Sequence, residues 1–197
     1  MTHNTLLQNV ILFSPEHALH NSRVEILIQE GKIVAIGEGI GLSASELIDG
    51  EGAYVSLGWM DPFGVCPDPG EPWKETLQSY SDAAQKGGFT QVAALCGSNP
   101  KPDNESVVSQ VKNAGRLLPA EILPLGLSSA GGEGKEMAEL YEMHSAGAIA
   151  FTDGMVKSAS LSLRTKLMQY AHSLGLRSEE HTSELQSHSD LVCRLLL

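Results

Sequence analysis

Two rhythms of apolar and polar positions divide the chain. From about Leu6 to Val55 the pattern is that of short strands. Val24 and Ile26 flank Glu25, Glu30-Gly31-Lys32 reads as a tight turn, and IVAIG over residues 33–37 follows as a second strand. Residues 48–55 complete a small sheet. From Gly58 onward strands alternate with helices. GWMDPFGVC (58–66) predicts a buried strand; Leu77, Tyr80 and Ala84 predict a helix over 74–86 that Gly87-Gly88 stops. FTQVAALC is the next strand, and residues 104–118 form a helix opened by Asp103 or Asn104. EILPLGLSS is a third strand, followed by a helix over 135–145. GAIAFTDG is a fourth strand, followed by a helix over 160–174.

Strands that alternate with helices imply parallel βα units. Four in succession fit a doubly wound sheet, or half of a (β/α)8 barrel, which takes about 250 residues when complete. The expected domains are a small β-rich one over 1–56 and a partial barrel over 57–176. Residues 177–197 (RSEEHTSELQSHSDLVCRLLL) follow no such rhythm. They match, in frame, the translation of a common short-read sequencing adapter. We therefore expect that segment to be foreign, and its His181, His188 and Cys193 to carry no function.

Composition narrows the function classes. A hydrophobic content of 42% over 197 residues suffices for a core, and no apolar run of membrane-spanning length occurs. The formal net charge of -11 speaks against nucleic acid as a partner. Met1 to Asn9 lack a basic segment followed by an apolar one, so no secretory leader is expected. Cys66, Cys96 and Cys193 make no CxxC pair, which fits a reducing, cytoplasmic setting.

Five segments in fixed order carry a family resemblance: GWMDPFGVCPDPG, Lys74-Glu75-Thr76, GGFTQ, LCGSNPKPD and AFTDG. Together they resemble the dihydroorotases and related cyclic amidohydrolases, over roughly residues 6–176. The resemblance is strongest to a divergent dihydroorotase-like subgroup without the HxH motif. It implies an α/β fold: the N-terminal half of a TIM-type barrel preceded by a small β-sheet domain. In active members two histidines stand two apart on the first barrel strand and share a zinc ion. The positions that match them are Phe63 and Val65. The arginine and asparagine that hold a substrate carboxylate are matched by Pro67 and Gly97. Asp153 matches an aspartate metal ligand at the end of the fourth strand. A lone carboxylate cannot replace the about four ligands zinc takes, so Asp153 is at most a weak remnant. Asp61 matches a structural strand residue of the family.

Other candidates are weaker. By strand alternation Cys66 and Cys96 face the helices, where a free cysteine packs as a small hydrophobe. His144 and His172 lie late in helices, His17 and His20 in the small sheet. The glycines at 131, 132 and 134 lack the GK[ST] ending of a phosphate loop. No catalytic residue, secure metal ligand or cofactor is predicted. The resemblance implies a role in pyrimidine biosynthesis, as a catalytically silent homologue that self-associates or acts as a structural partner of aspartate transcarbamoylase. The alternatives are an active, metal-dependent hydrolase of cyclic amides whose remaining ligands come from a C-terminal half, and a fragment without function.

Overall fold

The computed structural model describes residues 4–40, 45–152, 160–173, 175 and 178–179. The chain divides into two compact units, Met1–Leu57 and Gly58–Leu197.

In the first unit β1 (Asn4–Phe13) is central. It pairs antiparallel with β2 (Arg23–Gln29), which pairs antiparallel with β3 (Lys32–Gly37). Glu30 and Gly31 both have positive φ, 50° and 75°, the conformation that suits a two-residue hairpin turn to the twist of its strands. Val10, Leu12, Val24 and Ile26 form the core of this unit. The stretch expected over 48–55 to complete the sheet consists of two strands, β4 (Glu46–Asp49) and β5 (Tyr54–Ser56), both parallel to β1. The break follows from an irregularity in β1, where Asn9 has φ 57° and the register with β2 shifts between Leu7 and Val10. The amides of Gly50 and Gly52 turn in to the Gln8 and Asn9 carbonyls at 2.8 and 2.7 Å, which closes a turn where the strand would have continued.

The second unit repeats strand and helix: β6 (Trp59–Cys66), α1 (Leu77–Lys86), β7 (Phe89–Cys96), α2 (Glu105–Gly115), β8 (Glu121–Leu127), α3 (Leu140–Ala146), β9 (Ala150–Thr152), α4 (Leu161–Ser173) and β10 (Ser178–Glu179). All strands are parallel and stand in sequential order from β6 to β10. A doubly wound sheet reverses its strand order at a switch point, whereas a barrel does not. The clusters that join strands to helices lie on one side of the sheet: Val92, Ile122, Val107 and Val111 with α1 and α2, and Phe151 and Met143 with Val108 and Leu167. The sheet is therefore a curled parallel half-barrel. Phe151 is 1% exposed, and truncating such a ring to alanine costs about 3–5 kcal/mol.

Two helices begin later than their periodicity suggests. α1 starts at Leu77 because Thr76 is its N-cap, in a reciprocal capping box with Ser79. α3 starts at Leu140 because the preceding main chain is committed to the loop after β8. Ala130 N–H donates to Glu136 O at 2.9 Å and Ala138 N–H to Ser128 O at 3.0 Å. Asn104, one of the two expected caps, holds the amides of Ser106 and Val107 at the start of α2.

Candidate functional site

In a barrel of this kind the loops that follow the strands form the site. Here these are the segments after β6, β7 and β8. β6 carries a bulge: Asp61 pairs with Val92 but Gly64 pairs with Ala94, so β6 holds one residue more than β7 over that span. Pro62, which has no N–H to give a ladder, lies inside it. Asp61 Oδ1 accepts the Phe63 amide at 3.1 Å and closes the bulge.

The bulge sets which residues face inward. Beyond it Cys66 pairs with Cys96, and both lie in the cluster with Val107 and Val111, against Leu77 and Tyr80. Cysteine thus faces the helices. Alternation then directs Phe63 and Val65 to the opposite, inner face, alongside Leu95, which pairs with Val65. Val65 remains 44% exposed there. A phenyl ring and an isopropyl group have no lone pair to offer a cation, so these positions do not fit the zinc that the resemblance implies. Among the described residues no three His, Cys, Asp or Glu side chains come together as a metal group. Asp153 lies outside the described residues. Thr152, just before it, is fully buried, and its carbonyl accepts the Ser128 amide at 2.9 Å.

The two positions matched to substrate-carboxylate ligands serve the loops themselves. Pro67 O accepts Ser98 Oγ and the Glu71 amide, each at 3.1 Å. Gly97 has φ 107°, and a Cβ there would stand 2.9 Å from Pro100 O. An asparagine at this position would need a different backbone.

The glycine-rich loop is closed to phosphate. An anion cradle needs converging free amides, but Gly131 N–H is held by Asp103 Oδ2 at 2.8 Å and Gly132 N–H by Ser129 O at 2.9 Å. Glu133 N–H goes to Ala130 O at 3.2 Å and Gly134 N–H to Ser129 Oγ at 2.9 Å. Lys101 Nζ donates to Gly131 O at 2.5 Å, securing the same loop from the β7 side.

His17, His20 and His144 find local partners. His20 Nδ1 accepts the Ser14 amide and its ring meets Phe13 edge-on at 5.3 Å; His17 Nδ1 accepts the Leu19 amide. His144 Nδ1 lies 3.2 Å from Ala148 O, and His172 is exposed on α4. Burial, and next the nearby Asp61 carboxylate, push the Tyr80 phenol above its ordinary value. Cys96 is pushed up as well, because its thiol donates to Cys66 and is buried. Cys66, as the acceptor of that bond, is lowered.

Sequence reasoning gave no role to Asp68, and it offered Asp61 only as a structural strand residue and Asp103 only as a helix cap. Asp61 holds the β6 bulge, Asp68 Oδ2 accepts the first amide of α1 from Leu77 at 3.0 Å, and Asp103 holds Gly131. The available signal was Asp-Pro at 61–62 and 68–69, a dipeptide that marks turns and irregular backbone. Each carboxylate orders main chain, and none points with a partner into the inner face. That face offers apolar contact, since Phe63, Val65 and Leu95 carry no acid, base or nucleophile.

A sequential parallel half-barrel with its loops at the strand ends is the architecture of TIM-barrel amidohydrolases, and the structural neighbours agree. L-Hydantoinase from Arthrobacter aurescens superposes with a TM-score of 0.76 at 22% identity, over 92% of this chain and 41% of the neighbour. A dihydroorotase superposes with a TM-score of 0.61 at 16% identity, over 92% of this chain and 51% of the neighbour. The family model described as Dihydro-orotase-like matches residues 66–186, and the chain belongs to that family. It is 36% identical over 162 residues to a dihydroorotase of Ruminiclostridium cellulolyticum, covering 82% of this chain and 38% of the relative. It is 31% identical over 180 residues to that of Aquifex aeolicus, covering 91% and 42%. The chain thus spans about two fifths of the length of these relatives. Among the described residues no helix is long and apolar enough to cross a membrane.

Proposed function

We propose that this chain is the N-terminal portion of a dihydroorotase-like protein whose hydrolytic centre has been lost, and that the whole protein serves pyrimidine biosynthesis as a structural partner of aspartate transcarbamoylase. The observation that carries this reading is the placement of Phe63 and Val65 together on the inner face of β6. Both positions that should grip the ion are apolar there, and the neighbouring carboxylate, Asp61, is engaged by the Phe63 amide. Pro67 and Gly97 support the same reading, since each is tied into loop structure that leaves no substrate-binding group.

The names of the curated relatives favour a second reading, an active hydrolase of a cyclic amide that draws its ligands from elsewhere in a longer chain. Metal analysis and a dihydroorotate hydrolysis assay on the product of the uninterrupted reading frame separate the two. We expect no stoichiometric metal, no turnover, and co-purification with aspartate transcarbamoylase. Stoichiometric zinc with turnover would establish the second reading instead. The domain division belongs to this proposal: 1–56 and 57–176 are native, and 177–197 is foreign, the two residues of β10 included. Resequencing the locus tests that, and a reading frame that continues through residues 177–197 unchanged would refute it.

A further inference from the structure

Cys66 ends β6, Cys96 ends β7, and the two are register partners in a parallel ladder. Both are free thiols, 0% and 1% exposed, in one cluster with Val92, Val107, Val111 and Ile122. As register partners in one cluster, the two side chains project to the same, helix-facing side of the sheet. Neighbouring strands run about 4.7–4.9 Å apart, inside the Cα separation of about 4.4–6.8 Å that a disulfide spans. The surroundings decide which chemistry of a thiol pair fits. The titratable groups that act on the pair are Asp68, Glu75 and Tyr80, and none is cationic. A dithiolate, free or holding a soft metal ion, would leave negative charge in an apolar core without compensation. A disulfide is neutral and as apolar as the cluster around it.

We propose that Cys66 and Cys96 are an oxidation site, forming a disulfide that clamps β6 to β7 at the mouth of the half-barrel when a peroxide is present. Either order of reaction gives the same product. With Cys66 first, its thiolate attacks one peroxide oxygen and the O–O bond breaks; hydroxide leaves and takes up the proton Cys66 has lost, giving water and a sulfenic acid. The Cys96 sulfur then attacks the Cys66 sulfur. The S–S bond forms, the S–O bond breaks, and hydroxide leaves with the Cys96 proton as a second water. Two thiols have supplied two electrons and one peroxide has become two waters. The bond would reinforce a junction that already exists between the same two strand ends, where Gly97 N–H donates to Cys66 O at 3.0 Å and Ser98 N–H to Pro69 O at 2.9 Å.

The test uses the whole chain with Cys193→Ser, so that only the pair remains. After brief peroxide treatment, alkylation and digestion, we expect one linked peptide pair joining residues 66 and 96, with both thiols lost together and recovered by dithiothreitol. Equilibrium in glutathione buffers then asks whether the fold promotes the bond. The native chain should be half-oxidised at a ratio about ten-fold or more to the reducing side of the same chain in urea. Single-cysteine glutathione adducts in place of the linked pair, or equal oxidation in buffer and in urea, would overturn the proposal.

Discussion

The Asp61 carboxylate accepts the amide of Phe63, two residues along the same strand, at 3.1 Å. This bond closes the bulge in β6. It stabilises a bulge around Pro62 that pairs Asp61 with Val92 on the helix-facing side, and it lets Phe63 and Val65 face the barrel axis. Asp61→Ala removes the acceptor that the Phe63 amide uses in the bulge. We expect a loss of about 1–2 kcal/mol in urea unfolding, and a smaller loss for Asp61→Asn, which keeps an oxygen in place. Equal losses from the two variants would mean that the bulge does not depend on this bond.

Gly97 gives a prediction of opposite intent, because Gly97→Asn installs the residue that the family resemblance implies at this position and should still harm the chain. The residue sits at φ 107° with Pro100 O where a Cβ would press at 2.9 Å. Backbone of that kind costs a non-glycine residue about 1–3 kcal/mol, visible as a fall in thermal midpoint of several degrees. An unchanged midpoint would show that the loop between β7 and α2 rearranges freely.

The order of strands and helices after Gly58 was legible because each unit carries its own period and its own stops. Asn104 and the Gly87-Gly88 pair could be read directly as helix ends. The helix-facing direction of Cys66 and Cys96 also followed from alternation. What could not be read were features in which distant main chain competes with local preference. The apolar spacing of residues 135–145 suits a helix, yet residues 136–138 are held by Ser128 and Ala130. The bulge at Pro62 was likewise hidden, since simple alternation places Asp61 on the same face as Phe63 and Val65. At the candidate site the apolar character of Phe63 and Val65 was legible from residue identity alone. The work of Asp68 and Asp103 in holding loops was not, since the amides they bind are 9 and 28 residues away.

Ser81 ties α1 to the start of β8. Its Oγ donates to Ala120 O at 2.8 Å and accepts Ala120 N–H at 2.9 Å, and both residues are fully buried. Ser81→Ala would strand a buried donor and a buried acceptor together. The expected cost is about 1–3 kcal/mol for each stranded group, large for a change of one oxygen atom. Urea unfolding of Ser81→Ala beside the unaltered chain measures it, and a loss below about 0.5 kcal/mol would show that water satisfies Ala120 instead.

Tyr80 predicts a response to alkali. Its folded-state ionisation is raised above the ordinary 10.0 by burial and by Asp61. The unfolded chain therefore loses this proton first. The stabilising contribution is complete below about pH 10 and is lost as pH rises toward the folded-state value. Tyr80→Phe has no proton to lose, so its stability should fall less steeply above pH 10 than that of the unaltered chain. Tyrosinate absorbance supplies the second readout: one of the four tyrosines should ionise only together with unfolding. Parallel alkaline stability curves for the two proteins would mean that the Tyr80 phenol is open to solvent.

The inner face of β6 allows the ligand argument to be run in reverse. If Phe63 and Val65 stand side by side toward the barrel axis, then Phe63→His with Val65→His places two imidazoles on one face, two residues apart, where a single cation can reach both. Val65 is already 44% exposed, so a histidine there has room and water for its ring. The double variant should acquire affinity for cobalt(II) or zinc that neither single variant has, read from the cobalt absorption spectrum and from metal retained after gel filtration. Because two imidazoles are half of the usual set, the gain should be weak, reversible by a chelator, and unaccompanied by hydrolysis of dihydroorotate. Identical metal binding by the double and single variants would mean that the two side chains diverge, and the placement of the inner face would have to be abandoned.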